Sequence, residues 1–320
     1  MDRVLITGGL GYLGTELSNF LAKLNYKVKV IDIGYFGNKI KRNKRIKVVR
    51  KDIKNINSSD IKGYKKIIHL AAISNDPAAL LDSKITWETN VLSTLKLLEE
   101  CKKNKVKKFI FVSSGSVYGV SKKKKVDEKT PLIPISDYNK TKMVGEKIVE
   151  NYKKYFEIVI LRPGTICGVS ENMRLDLTVN AMTYSALKKN KIVVNGGKQI
   201  RPQVHIKDML NAFNFFLLKK KVGGTYNIGF ENFSIIKVAK MIKRVLKSTK
   251  IIVNKEFDIR SYRLYANKIV KNGFENKFNV EDAIKEFIIS YNRNEIKSFK
   301  SSYRTSYLSK ILKKNGKFNL

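Results

Sequence analysis

Four tyrosines are followed four positions later by a lysine, a pair that can remove a proton from an alcohol. The pairs begin at Tyr35, Tyr118, Tyr138 and Tyr184. Tyrosine has an ordinary pKa of about 10, so it serves as a base near pH 7 only where positive charge stabilises its phenolate by roughly 4 kcal/mol. A lysine one helical turn away supplies such a charge. Because the chain is rich in lysine, the pattern alone does not select one pair.

Context selects Tyr138 and Lys142. They begin a long helical pattern after a proline-containing loop, and i, i+4 spacing places both side chains on one helix face. Tyr35 falls in a predicted loop, Tyr118 in a turn at a strand end and Tyr184 inside a helix of the second half. We therefore predict that Tyr138 is the catalytic base and that Lys142 lowers its pKa.

A cluster of hydroxyl groups follows the fifth predicted strand, in Ser113-Ser114-Gly115-Ser116. A hydroxyl at this position can hydrogen-bond the substrate oxygen whose proton leaves. Doubly wound sheets bind their ligands at strand ends. The sequence therefore predicts that this cluster meets Tyr138 at one edge of a sheet.

A glycine-rich turn, Gly8-x-x-Gly11-x-x-Gly14, follows the first predicted strand and opens a helix. In this context Gly8 allows a tight turn, Gly11 lets backbone N–H groups approach a pyrophosphate, and Gly14 lets the helix pack close to the sheet. The helix N-terminus then faces the anion with free donors and a positive dipole end. The pattern predicts a dinucleotide site that includes Tyr12 and Leu13.

Two acidic residues extend this site. Asp32 ends the second predicted strand, 18 residues beyond Gly14, where a carboxylate accepts hydrogen bonds from both ribose hydroxyls and repels a 2′-phosphate. Ile33 follows it, where an arginine could have paired with that phosphate, so the sequence favours NAD over NADP. Asp52, with the neighbouring Ile53, is predicted to hold the adenine.

The elements that position these residues alternate in type. Strands are predicted at Val4–Thr7, Lys27–Asp32, Ile46–Arg50, Lys66–Leu70, Lys107–Ser113 and Ile158–Leu161, with helices at Tyr12–Leu24, Ser83–Asn104 and after Asp137. This alternation predicts an α/β fold with a Rossmann-type doubly wound parallel sheet. Beyond Pro163 the regularity weakens, with helices expected at 176–189, 206–220, 234–247 and 280–291. From about Asn292 the chain is polar and basic, either an ordered extension or a loose tail.

The composition of the chain argues against several classes of protein. Hydrophobic residues make up 43% of the chain, and no apolar run reaches the roughly 18 residues of a membrane span. We expect a cytoplasmic protein, since no export signal is visible and only Cys101 and Cys167 are present. These two cysteines and two isolated histidines predict no metal site. The net charge of +38 is spread along the chain. We attribute it to A/T-rich codons and do not expect a nucleic-acid partner.

Taken in order, the motifs resemble the extended short-chain dehydrogenases/reductases, in particular the NAD-dependent epimerase/dehydratase family of nucleotide-sugar enzymes. The resemblance covers residues 1 to about 290 and rests on the following pieces: Thr7–Gly14, Asp32, Asp52-Ile53, His69-Leu70-Ala71-Ala72, Ser114 before Tyr118-Gly119, Tyr138 with Lys142, Arg162-Pro163 and Val204–Asp208. It implies NAD as cofactor, with Leu70, Ala71 and Ala72 beside it, and Lys142 on the nicotinamide ribose. Ser114 would assist at the reacting hydroxyl.

The same resemblance implies a division of the chain. Residues 1–163 would form mainly the NAD-binding domain, and 164–320 mainly a substrate lobe with a basic tail, interleaved with the first. Helices 83–104 and 138–155 would pair two subunits into a homodimer. Family positions that contact the substrate correspond to Ser114, Ser116, Asn180, Arg201 and Arg260.

The residues after Ser114 separate the reactions of this family. Dehydratases typically carry Asp-Glu where this chain has Gly115-Ser116, decarboxylases commonly carry Glu in place of Ser116, and 3,5-epimerase/reductases carry Cys there. Of the family's reactions, those that oxidise and reduce sugar C4 remain. They are epimerisation through a 4-keto intermediate, and the reaction of a 4-dehydrogenase/4-ketoreductase without epimerisation. Two non-catalytic alternatives stay open, an RNA-binding family member and a regulatory NAD sensor.

Overall fold

The computed structural model describes residues 2–121, 123, 125–255 and 261–314. Its first half alternates strands and helices. The elements are, in chain order, β1 (Arg3–Thr7), α1 (Tyr12–Lys23), β2 (Lys27–Asp32), β3 (Ile46–Arg50), α2 (Ser58–Ile61), β4 (Lys66–His69), α3 (Asp76–Ala79), α4 (Ser83–Trp87), α5 (Ser93–Lys103), β5 (Lys108–Val112), α6 (Asp137–Glu150) and β6 (Glu157–Pro163). Short 3-10 turns lie at Ile53–Asn55 and Gly115–Tyr118.

The second half is more mixed. It contains β7 (Thr165–Cys167), α7 (Thr178–Lys189), β8 (Lys191–Asn195), β9 (Ile200–His205), α8 (Ile206–Leu218), β10 (Gly224–Ile228), β11 (Glu231–Ser234), α9 (Ile235–Val245), β12 (Lys250–Asn254), α10 (Asn267–Lys271), α11 (Val280–Asn292), a 3-10 turn at Lys300–Ser302 and α12 (Arg304–Lys314). The predicted strands and the four later helices agree with these bounds to within two residues. The extension after Asn292 contains the helix α12.

Within the described part of the chain, seven strands form one parallel sheet in the order β10-β6-β5-β4-β1-β2-β3. The reversal between β1 and β4 opens a crevice at the carboxyl ends of the strands, the usual ligand position in such sheets. This confirms the predicted doubly wound fold. β10 pairs with β6, so a strand from the second half completes the sheet.

Both faces of the sheet are buried, which explains why its strands are nearly continuous apolar runs. On one face Ile6, Ile110 and Val159 pack with side chains of α1 and α8. On the other face Leu5 and Phe109 pack with side chains of α5 and the end of α6. A separate core joins α7, α9 and α11 to the paired strands β8 and β12.

The helix predicted over Ser83–Asn104 is interrupted. A π-helical turn at Glu88–Leu92 separates α4 from α5. It turns the buried Asn90 towards α6, where its amide nitrogen donates to the Thr141 hydroxyl at 3.0 Å and to the Ile73 carbonyl oxygen at 3.1 Å. π-Turns of this kind are frequent at functional sites, because they re-aim one side chain.

Among the described residues, no helix is long and apolar enough to cross a membrane.

Candidate active site

A cavity of about 1150 Å³ runs along the carboxyl ends of the central strands. It gathers residues that are far apart in sequence. Its walls include the following predicted site residues: Gly8, Gly11, Tyr12, Leu13, Gly14, Asp32, Asp52, Ile53, Leu70, Ala71, Ala72, Ser114, Ser116, Tyr138, Lys142 and Arg201. The predicted cofactor, catalytic and substrate groups therefore share one cleft.

The glycine turn lies at one end of this cleft. Gly8 has φ +74°, and a Cβ there would lie 2.5 Å from the backbone nitrogen of Ala71, so only glycine fits. A Cβ on Gly14 would lie 2.4 Å from the Gly8 carbonyl oxygen, which shows how closely α1 approaches the turn. Gly11 is the N-cap of α1 and has no side chain to cap it. The N–H groups of the first turn thus remain available to an anion.

Asp32 lines the cleft next to the glycine turn. Its carboxylate accepts hydrogen bonds from the backbone N–H of Leu10 at 2.9 Å and of Gly34 at 2.7 Å. Burial raises the pKa of Asp32, and these two donors oppose the rise. Asp52 caps the 3-10 turn after β3 by accepting from the N–H of Lys54 at 2.9 Å. Both carboxylates are held in place before any ligand binds.

Tyr138 and Lys142 lie one turn apart at the start of α6. This helix begins after Ser136, whose hydroxyl accepts from the N–H of Asn139 at 3.2 Å. The Lys142 ammonium donates to the carbonyl oxygen of Val112, at the end of β5, over 2.8 Å. The bond brings the reactive face of α6 to the strand end that precedes the serine cluster.

Burial acts on both members of this pair. Desolvation raises the pKa of the half-buried Tyr138 phenol, and hydrogen bonding with Ser114 opposes the rise. Desolvation also lowers the pKa of Lys142 to about 8, with the Glu146 carboxylate opposing. At pH 7 the lysine is therefore mostly protonated, whereas the phenol needs further positive charge to lose its proton. A cationic ring bound in the cleft would supply that charge.

The serine cluster forms a chain of hydrogen-bonded hydroxyl groups. Ser114 caps the 3-10 turn, and its hydroxyl lies 2.7 Å from that of Ser116, which donates to the side-chain oxygen of Asn139. Asn139 is buried and follows Tyr138 directly on α6. The serine hydroxyl groups are thus hydrogen-bonded to α6, the helix that carries the Tyr138 phenol.

Behind the site, a buried ion pair supports α6. The Arg162 guanidinium donates to both carboxylate oxygens of Glu146, with a shortest distance of 2.6 Å, and to the Tyr118 hydroxyl at 2.7 Å. Tyr118 in turn donates to the Asn227 side chain at 2.8 Å. Burial raises the pKa of Tyr118 to about 12, so this tyrosine acts as a structural donor.

The isolated histidine at the end of β4 also has a structural role. His69 is buried between the hydroxyl groups of Thr7 at 2.6 Å and Thr94 at 2.9 Å. Burial lowers its pKa to about 3, so it stays neutral. The cysteines Cys101 and Cys167 are buried, and burial raises the pKa of both thiols.

Of the predicted substrate residues, Arg201 on β9 lines the cleft, whereas Asn180 lies behind it. Asn180 is fully buried, and its amide accepts from the N–H of Gly168 at 3.0 Å and donates to the Tyr12 hydroxyl at 3.3 Å. The amide therefore joins α7 to α1, and the geometry gives no support to a direct substrate contact. Arg260 lies outside the described residues.

Two groups of cleft residues were not predicted from the sequence. Arg174 lines the cleft wall, where its charge opposes the rise that burial causes in the Tyr138 pKa, and forms an ion pair with Asp176 at 2.8 Å. The other group comes from α12: Arg304, Thr305, Leu308 and Leu312. The i, i+4 spacing of Arg304, Leu308 and Leu312 predicts a helix face, but nothing local in the sequence predicts where that face packs.

The sequence model of the NAD-dependent epimerase/dehydratase family matches residues 4–229, more than half of the chain. The chain belongs to this family. A putative UDP-glucose 4-epimerase from Methanocaldococcus jannaschii is 28% identical over 89% of this chain and 97% of its own length. A dTDP-D-glucose 4,6-dehydratase from Dictyostelium discoideum is 31% identical over 76% of this chain and 62% of its own length. The family thus includes both epimerases and dehydratases among the relatives of this chain.

A solved structure supports the same assignment. The UDP-glucuronic acid 4-epimerase from Bacillus cereus, in complex with UDP-glucuronic acid and NAD, superposes with a TM-score of 0.82 at 28% identity, covering 91% of this chain and 99% of its own. The family is NAD-dependent, and the cleft fits that cofactor. The glycine turn and the uncapped start of α1 suit a pyrophosphate, Asp32 suits an unphosphorylated ribose, and the Tyr138 phenol suits a neighbouring cationic ring.

Proposed function

We propose that this enzyme inverts the configuration at C4 of a nucleotide-linked sugar, through a 4-keto intermediate and with NAD as its cofactor. One observation carries the proposal. A complete Tyr138–Lys142 pair stands beside Ser114, while the two positions that follow Ser114 carry no carboxylate. The site therefore has the groups for removing and returning a hydroxyl proton and lacks, at those two positions, the acid and base for expelling water.

In this reaction Tyr138 accepts the proton of the C4 hydroxyl and later returns it. Ser114 hydrogen-bonds the same oxygen, and the Lys142 ammonium stabilises the phenolate. Bound NAD supplies the redox chemistry at C4. It would be held by the glycine turn, Asp32 and the walls near Asp52. Inversion requires that the keto sugar turns while its nucleotide stays bound, because hydrogen must return to the opposite face of C4.

Packing around Gly115 argues against dehydration. A Cβ on Gly115 would lie 2.7 Å from Leu264 and 3.0 Å from the Pro163 carbonyl oxygen, so a carboxylate side chain is not accommodated without moving both. Two other carboxylates line this part of the cleft. Asp76 accepts a hydrogen bond from Ser136, and Asp176 accepts from Arg174 at 2.8 Å. The side-chain oxygens of both are thus already engaged by protein donors.

A nucleoside diphosphate suits the second half of the cleft. We infer that Arg201 binds it, because a guanidinium can donate two parallel hydrogen bonds to a diphosphate. Its guanidinium lies 6.0 Å from the Tyr262 ring, which also lines the cleft. Arg260 is proposed as a second phosphate ligand on sequence grounds alone. Several relatives are named for UDP-sugars, which makes UDP the first nucleotide to test.

The experiment is a panel of UDP-, GDP-, CDP- and dTDP-hexoses incubated with the purified enzyme. Product stereochemistry is read by NMR, and NADH absorbance is followed in parallel. An epimerase gives the C4-inverted sugar with no net accumulation of NADH. A 4-keto sugar formed together with stoichiometric NADH identifies a 4-dehydrogenase instead. No turnover of any sugar, combined with salt-dependent RNA binding, would overturn the enzymatic proposal.

A further inference from the structure

The C-terminal helix α12 forms part of the wall of the cofactor cleft. Arg304, Leu308 and Leu312 line the cavity alongside Asp32 and Phe36. The match to the family ends at residue 229, so this segment lies outside it.

An apolar face of α12 is buried on the rim of the cleft. Leu308 is 5% exposed and Leu312 is 2% exposed, and both pack against Ala78 on α3. Tyr35, on the loop after β2, and Ile85 pack against the same cluster. Burying these two leucine side chains removes apolar surface from water and so stabilises this position of α12.

Arg304 fastens the first turn of α12. It is 4% exposed, and its guanidinium carbon lies 4.1 Å from the centre of the Phe36 ring. One nitrogen donates to the Ser301 carbonyl oxygen at 2.7 Å. The other donates to Asn172, at 3.1 Å to the carbonyl oxygen and at 2.9 Å to the side-chain oxygen. Burial lowers the pKa of Arg304 to about 10, so it remains charged at pH 7.

Asn172, which accepts hydrogen bonds from Arg304, also contacts the predicted nucleotide site. Its amide nitrogen donates to the carbonyl oxygen of Leu10, inside the glycine turn, at 2.6 Å, and to that of Phe36 at 3.3 Å. Asn172 is itself 4% exposed. One buried amide therefore joins α12 to the turn that receives the pyrophosphate and to the loop that follows Asp32.

We propose that α12 closes the adenosine side of the NAD cleft, and that Arg304 is the positioning residue that keeps it closed. Bound NAD then dissociates only when α12 is displaced. The residues that fit the adenosine, Asp32 and Asp52, lie in the same cavity as the face of α12. The inference concerns retention of NAD, so it holds whichever reaction the enzyme performs at the sugar.

The test compares Arg304→Met with Lys310→Met. Both variants remove one positive charge from α12, but Lys310 is exposed and does not line the cleft. Each full-length protein is loaded with labelled NAD and chased with unlabelled NAD. We expect labelled NAD to leave Arg304→Met at least ten times faster than wild type and to leave Lys310→Met within twofold of the wild-type rate. Equal rates in Arg304→Met and wild type would overturn the proposal.

Hydrogen exchange on the wild-type protein gives a second, independent readout. Addition of NAD should slow exchange of the backbone amides of Arg304–Lys314 at least tenfold, because closure over the ligand removes the open state. Amides of α9, which packs in a separate core, should exchange at the same rate with and without NAD. If Arg304→Met does not fold, the exchange measurement on the wild-type protein tests the proposal by itself. Unchanged exchange in α12 on addition of NAD contradicts the proposal.

Discussion

The Lys142 ammonium donates to the Val112 carbonyl oxygen at 2.8 Å and is buried there, with no carboxylate of the described chain within ion-pair distance. The lysine is thus held by a neutral acceptor and by the distant Glu146, and desolvation lowers its pKa from the ordinary 10.5 to about 8. A lysine of this kind opposes folding as long as it carries a proton, and no ion pair with a described residue neutralises its positive charge, one helical turn from Tyr138. The charge is therefore available to stabilise the phenolate.

A pH-dependent effect on stability follows for Lys142→Met in the protein without cofactor. Because the pKa is lower in the folded chain than in the unfolded chain, the penalty is fully present below pH 8 and fades as the pH rises towards 10.5. The free energy of unfolding of the variant minus that of wild type should therefore fall by about 2 kcal/mol between pH 7 and pH 9.5. Urea unfolding at both pH values measures it.

Lys140→Met is the matched control for this experiment, since Lys140 is an exposed lysine on the same helix. The Lys140→Met difference shows how the loss of an exposed lysine alone affects stability across the same pH interval. A Lys142→Met difference that falls no more than the Lys140→Met difference would mean that the buried lysine has no lowered pKa.

The role of Tyr138 is tested by Tyr138→Phe, which removes only the hydroxyl. Turnover should fall by at least about 100-fold, the lower end of what a general base contributes, while NAD remains bound. Tyr184→Phe is the control, because Tyr184 also pairs with a lysine one turn away, Lys188 at 3.4 Å, but does not line the cleft. Steady-state kinetics and the NAD content of both variants are measured. Activity surviving in Tyr138→Phe would disprove the assignment of the base.

Two glycines of the turn should respond differently to alanine. In Gly14→Ala the new methyl group would lie 2.4 Å from the Gly8 carbonyl oxygen, so α1 must move away from β1, with a loss of about 1–3 kcal/mol of stability and of NAD binding. Alanine is otherwise the better helix former, so a loss of stability is informative. In Gly11→Ala the nearest atom is 3.5 Å away.

Gly11→Ala should therefore lose no more than about 1 kcal/mol of stability, because alanine is a poorer N-cap than glycine, and should weaken NAD binding about tenfold, because Gly11 lines the cleft at the predicted pyrophosphate position. Thermal unfolding and NAD titration separate the two effects. If both variants lose stability equally, the turn is sensitive to any side chain, and Gly11 and Gly14 do not differ in their roles.

Residues that act locally were predicted well from the sequence. The strands of the parallel sheet are apolar runs because both faces are buried. The turn requires glycine at Gly8 because the backbone there has a positive φ, and the glycine pattern is visible in the sequence. The same holds for Tyr138 and Lys142, whose spacing on one helix sets their relation. In each case the information lies within a few residues.

Long-range contacts could not be predicted in this way. Arg304 contacts Asn172 across 132 positions of sequence, and neither residue belongs to a recognisable motif. The π-turn before α5 brings Asn90 to its hydrogen bond with Thr141, 51 positions away in sequence. Asn180 corresponds to a family position that contacts the substrate, whereas its amide hydrogen-bonds to Gly168 and Tyr12. These features depend on how separate elements meet.

The predicted homodimer remains to be tested, and the structure offers a specific surface for it. Leu92 is 59% exposed and Leu95 is 41% exposed, and they are i, i+3 neighbours where the π-turn joins α5, in the helical segment expected to pair two subunits. In a two-fold interface each leucine is buried twice, so replacing both by lysine removes apolar contacts and adds four charges. We expect wild type to be a dimer at micromolar concentration and Leu92→Lys/Leu95→Lys to be a monomer, with a dissociation constant raised at least about 100-fold.

Leu218→Lys, at a 64% exposed leucine at the end of α8, is the control and should remain dimeric. Sedimentation velocity distinguishes these outcomes, and a double variant that stays dimeric would show that the subunits pair through a different face.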